Sequence, residues 1–142
     1  MQTRRDFVAW LSAMSLAGLT RPLRADEVAE KEAAAAARAW LNLVDGGRYA
    51  ASWEAAAPAF RSAVTPEQWD QAVHSVRTPL GSCLSRTLRS RKLVDPPAGG
   101  PKGPYVVLQF DTAFEHREGA VETVTPVLVD DDGWRVAGYF IK

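Results

Sequence analysis

The chain has 142 residues, 17 basic against 17 acidic, and a single cysteine, Cys83. That length is one ordinary domain, large enough to fold around a core without staples, and one cysteine excludes an internal disulfide. Four of the basic residues and one of the acidic ones precede residue 26, leaving 13 against 16, a net −3, which argues against nucleic acid or an anionic membrane as the main partner.

The first 25 residues read as an address. Arg4-Arg5-Asp6-Phe7 sets two arginines before an apolar run, Phe7 to Leu19, and Leu23-Arg24-Ala25 offers a small-residue cleavage site. Charged start, apolar middle and cleavable end make a secretory signal, and the arginine pair with Thr3 and Phe7 resembles the twin-arginine export signal. The apolar run has 13 residues, too short for a bilayer that needs about 20. Residues 1–25 are therefore expected to be a signal peptide. Residues 26–142 are expected to form a single domain, periplasmic or extracellular, with no stable membrane insertion after cleavage.

Asp26 to Val44 predicts the first helix. Ala33 to Ala37 carries the highest helix propensity available, and Val28, Ala36, Ala37, Trp40, Leu43 and Val44 approximate one apolar stripe. Gly46-Gly47 stops it. A second helix is expected from Tyr49 to Phe60, with Trp53, Ala56, Ala57 and Phe60 on one face. Thr65-Pro66-Glu67-Gln68 starts a third: Thr65 caps, Pro66 fits the first helical position and Gln68 completes a capping box. Pro79 and Gly81 end it.

From Ser82 the period changes from about 3.6 to 2. Leu84, Arg86 and Leu88 alternate with Cys83, Ser85 and Thr87 in a first strand. The Pro/Gly-rich stretch from Asp95 to Pro104 is an exposed loop. Tyr105 to Phe114 is a strand, β-branched and aromatic, with Val106, Leu108, Phe110 and Phe114 expected to face the helices. His116 to Gly119 is expected to turn into a third strand, Ala120 to Val129. Asp130 to Gly133 turns into a fourth, Trp134 to Ile141. Three N-terminal helices packed on a four-stranded antiparallel meander is an α+β order.

Ala39-Trp40-Leu41, Val44-Asp45 with Gly47 and Tyr49, Ser52-Trp53, Trp69, Arg77-Thr78-Pro79-Leu80-Gly81 and Gly133 to Tyr139 together resemble the bacterial family DUF4019, from about Lys31 to Lys142. Its members are mostly small exported proteins without an assigned activity, so the resemblance implies fold and export and carries over no site residue. The helix-then-meander order is also similar to cystatin-like and NTF2-like folds.

Three residues stand out as candidate ligand-binding positions. Arg77 and Arg86 can together hold a carboxylate or phosphate, which suits the planar guanidinium fork. Glu122 lies mid-strand, where a carboxylate is unusual. The plainer reading of Glu122 is a structural ion pair with an arginine across neighbouring strands. Arg86, Arg89, Arg91 and Lys92 form a basic run without interleaved aromatics, which fits a charged sheet edge better than nucleic-acid binding. Asp130 to Asp132 lacks the spacing of a calcium loop, and His74 and His116 lie apart with no metal-ligand spacing, so neither metal nor cofactor is expected. Cys83 reads as a small buried hydrophobe in a strand, and Trp40, Trp53 and Trp69 as core residues.

With no nucleophile–base pair and no phosphate loop, the leading expectation is a non-enzymatic exported domain. It would bind a small ligand or partner protein through a sheet–helix cavity or the free sheet face. The alternative is a small NTF2-like enzyme using Glu122 or His74 as general base, its pKa moved by burial.

Overall fold

Residues 23–96, 98 and 103–142 are described by a computed structural model of the chain. The expected signal segment up to residue 22 lies outside the described residues. Helix α1 spans Leu23–Asp45. Its buried stripe runs through Ala33, Ala37, Trp40, Leu41 and Val44, continued toward the start by Ala29. Val28, expected on that stripe, is 50% exposed, because Ala29, one position on, occupies the sheet-facing row. Helix α1 packs across all four strands.

The second predicted helix is two. Helix α2 covers Tyr49–Ala55 and α3 covers Pro58–Ala63; with α4, Pro66–Leu80, the described residues contain four helices, where three were expected. Proline at 58 disfavours helical backbone at the residue before it, and Ala57 is extended (φ −64°, ψ 152°). Tertiary structure uses the break: the Ala57 N–H donates to the Val136 carbonyl at 2.7 Å. Helix α4 opens with the predicted reciprocal capping box between Thr65 and Gln68. It runs through Pro79 to Leu80, so Arg77, read from sequence as part of a turn, lies in its last helical turn.

The sheet comprises β1 Cys83–Val94, β2 Tyr105–Phe114, β3 Arg117–Val129 and β4 Gly133–Ile141, antiparallel and in sequence order. The β2–β3 connection is only Glu115-His116, with Phe114 pairing Arg117. The third strand thus begins three residues before Ala120, its expected start. Val106, Leu108 and Phe110 join the helix-facing core as predicted, and Phe114 a smaller cluster with Leu80 and Ala120.

Two irregularities aim side chains. In β1 the register shifts between Cys83 and Ser85, so Leu84 bulges out and is 67% exposed, while Arg86 turns toward the helices. In β4 the register shifts opposite Thr125/Pro126, leaving Ala137 unpaired. Val136 and Tyr139, three apart, therefore both reach the core. Cys83 is half-buried at the head of β1, not enclosed as expected.

The tryptophans meet where the helices overlie β4. Trp40 packs edge-on to Tyr139 (5.3 Å between ring centroids) and Phe60 edge-on to Trp69 (5.0 Å). Their indole N–H groups are satisfied: Trp40 donates to the Ser52 carbonyl (2.8 Å), Trp69 to the Ser52 hydroxyl (2.9 Å) and Trp53 to the Val64 carbonyl (2.9 Å). Ser52 is fully buried and stitches α2 to α1 and α4.

Candidate functional site

Six elements converge on one buried polar network. Glu122, mid-strand in β3 and 0% exposed, accepts from Arg86 Nε (2.6 Å) and Nη2 (3.2 Å), from the Thr112 hydroxyl (2.6 Å) and from the Tyr139 phenol. The arginine does not come from a neighbouring strand. Arg86 in β1 pairs with Thr112 in β2, and its guanidinium reaches over that threonine to β3. Thr112 is small enough to be crossed and supplies its own hydroxyl to the same carboxylate.

The other edge of Arg86 holds Asp45, the last residue of α1, through Nη1 (2.8 Å) and Nη2 (3.0 Å). Arg77, from the last turn of α4, donates Nη2 to the same carboxylate at 2.7 Å. Arg86 thus bridges two carboxylates with both forks of its guanidinium, a use lysine's point charge does not allow. Two arginines face two carboxylates, and the network is charge-balanced.

Electrostatics follow the geometry. Burial raises the Asp45 carboxyl, but hydrogen bonds and charge from Arg86 and Arg77 outweigh it and hold the group below its ordinary value. Burial works against the Arg86 cation too, and its bonds to Asp45 and Glu122 raise its pKa despite that. The Tyr139 phenol is pushed well above its ordinary value, first by burial and then by the Glu122 charge beside it. Burial likewise pushes the Cys83 thiol up, away from the thiolate that reactivity requires.

Arg77 is the unsaturated member. Its side chain is 5% exposed, its guanidinium carbon lies 4.9 Å from the centre of the Phe114 ring, and its Nε and Nη1 meet no hydrogen-bond acceptor among the described residues. It borders an open depression of about 210 Å³ with Asp45, Tyr49, Thr78, Ser82 and Glu115. The wall is built by close approach of the β2–β3 turn to the end of α4: Glu115 N–H donates to the Ser82 carbonyl and His116 N–H to the Leu80 carbonyl, both at 3.0 Å. Gly81 makes this possible, with φ +76° and room for no Cβ, which would lie 2.9 Å from Glu115 Cβ. The Glu115 carboxylate in turn accepts the Ser82 N–H at 2.7 Å, and that bond lowers its pKa.

The three sequence candidates, Arg77, Arg86 and Glu122, are therefore brought together. His74 is not among them: it is exposed on α4, 3.5 Å from Asp70 and edge-on to Tyr49. Of the basic run, Arg86 alone enters the network; Arg91, opposite Leu108 on the helix-facing side, meets Glu30 of α1 (3.6 Å), and Arg89 faces Asp111 (3.8 Å). Asp45, Thr112 and Tyr139 were not singled out as site residues from sequence. Asp45 carried a signal: a carboxylate at a helix C-terminus opposes the helix dipole, and the last turn of α1 offers no basic residue to offset it.

Four helices on one face of an antiparallel four-stranded meander, with two arginines and two carboxylates interlocked between the layers, define an α+β domain built around a polar centre. The chain belongs to the DUF4019 family: the family described as "Protein of unknown function (DUF4019)" matches residues 36–139, a span that includes all six network residues. Neither curated proteins nor solved structures give a significant match.

Proposed function

We propose that this is an exported, non-enzymatic domain, periplasmic or extracellular, that binds a small ligand in the open depression at the ends of α1 and α4. The observation that carries the reading is Arg77, almost fully buried beside the depression with two nitrogens unpaired. Buried polar groups are nearly always satisfied, and one that is not calls for a partner. Arg86 and Glu122 then act behind the site, fixing Asp45 and through it Arg77.

The non-enzymatic part is supported by Glu122. A carboxylate has about four acceptor positions, and Arg86, Thr112 and Tyr139 use four, leaving none to take a substrate proton. Among the described residues no helix is long and apolar enough to cross a membrane. The order of helices and meander further supports reading the fold as cystatin-like or NTF2-like, with ligand binding at one open end of the layers.

Native mass spectrometry of the full chain recovered from exporting cells tests this. The expected result is loss of about the first 25 residues together with a small-molecule adduct, absent from an Arg77→Met variant that remains folded. An intact leader on cytosolic protein would sink the export half, and a ligand-free spectrum with an unchanged melting temperature across a small-metabolite panel would sink the binding half.

A further inference from the structure

We infer that the depression takes the amine-bearing end of a small amide, such as a peptide amino terminus, and discriminates against simple anions; this rests on the ligand-binding reading above. Arginine beside a pocket usually suggests an anion, but here the charge is already used. Arg77 and Arg86 are matched by Asp45 and Glu122, so what Arg77 retains is hydrogen-bond donors rather than uncompensated charge. A donor in that position is satisfied by a neutral carbonyl oxygen. An added carboxylate or phosphate would instead meet the Glu115 carboxylate on the same wall.

The Glu115 carboxylate supplies the second half of the specificity. Asp45 is taken up by Arg77 and Arg86, so Glu115 is what leaves the lining with a net negative charge. Glu115 engages Ser82 through one oxygen and is held ionised by that bond, so its other oxygen is available to an ammonium group. A ligand pairing an amine with an adjacent carbonyl matches both features, the carbonyl toward Arg77 and the amine toward the acidic rim. Size agrees: about 210 Å³ falls below the roughly 300 Å³ at which drug-sized pockets begin. The depression therefore holds an end group, with the rest of the molecule outside. The two Arg77 nitrogens expose almost no surface, so the entering carbonyl has to part the lining to reach them.

The Nε–H of Arg77 gives a direct readout in a proton–nitrogen correlation spectrum of the full chain. Alaninamide should shift that resonance saturably in the millimolar range, together with the amides of Tyr49 and Thr78, while acetate at equal ionic strength should not. Glu115→Gln should weaken alaninamide about two- to fivefold and leave the response to neutral acetamide unchanged. Thr78→Phe fills the mouth from an exposed helical position and should abolish all responses without touching the charge network. Saturable shifts with acetate and none with alaninamide would overturn the inference while leaving the binding reading intact. Silence to every probe would overturn the inference as well, and a native adduct persisting in that case would keep the binding reading alive.

Discussion

Replacing Arg86 by methionine isolates what the central guanidinium does. The side chain makes four hydrogen bonds, two to Glu122 and two to Asp45. In the variant Glu122 keeps Thr112 and Tyr139 but loses the one ion-pair partner it has among the described residues, at a position with no exposure. Removing one partner of a buried pair costs about 3–5 kcal/mol. Asp45, 24% exposed and still held by Arg77, adds less than about 1 kcal/mol. For a domain of this size about 4 °C of melting temperature goes with each kcal/mol, so the expected fall is about 12–20 °C. Thermal and urea unfolding followed by circular dichroism measure it. Arg86→Met combined with Glu122→Gln, which removes both charges, should recover more than about 1 kcal/mol relative to Arg86→Met alone. A single variant within about 1 kcal/mol of the parent, or a double variant no better than the sum of its parts, would refute the view that an unpaired buried charge sets the cost.

Four other outcomes follow from the same geometry. Stability should fall as pH drops below about 4, because Asp45 titrates lower folded than in the unfolded chain, whose carboxyl lies near 3.9; Asp45→Asn should flatten that slope in urea titrations. Stability should fall again as pH rises above about 10, since unfolded tyrosine ionises there while folded Tyr139 keeps its proton and burial pushes Tyr105 up to about 12; Tyr139→Phe should remove the Tyr139 share of that alkaline loss and leave the Tyr105 share. Ser52→Ala leaves the Trp69 indole N–H without its acceptor in a buried site and should cost about 1–3 kcal/mol, with an unchanged urea midpoint counting against it. Gly81→Ala combines positive φ with a Cβ 2.9 Å from Glu115 and should cost more than about 1 kcal/mol, read both in the melting temperature and in displaced Glu115 and His116 amide resonances.

Local chemistry made several elements legible in the sequence. The capping box at Thr65–Gln68 and the helix stop at Gly46-Gly47 depend on neighbours within four residues, and both are present, with Gly47 at φ +73°. The alternation in β2 depends only on one face being buried, and it too was readable. The split between α2 and α3 depends on a bond from Ala57 to Val136, 79 residues away, and Pro58 hinted at it without showing where the freed N–H would go. The candidate site divides the same way. Glu122 was visible as a carboxylate in an apolar strand. Its partner was not, because two register shifts in β1 decide which side chains turn inward. Tyr139 sits inward through the β4 shift, which alternation alone does not reveal.

The polar centre also orders events during synthesis. Asp45, Arg77, Arg86, Thr112 and Glu122 all precede β4 in the chain, and Tyr139 arrives with β4. Until that strand leaves the ribosome, Glu122 lacks one of its four donors, and the aromatic cluster of the helices lacks the ring that seals it. Domains fold as units once their sequence is available, and here the unit cannot close early. With β4 in place, Tyr139 completes both the Glu122 network and the aromatic cluster, and the layers are held together through their middle.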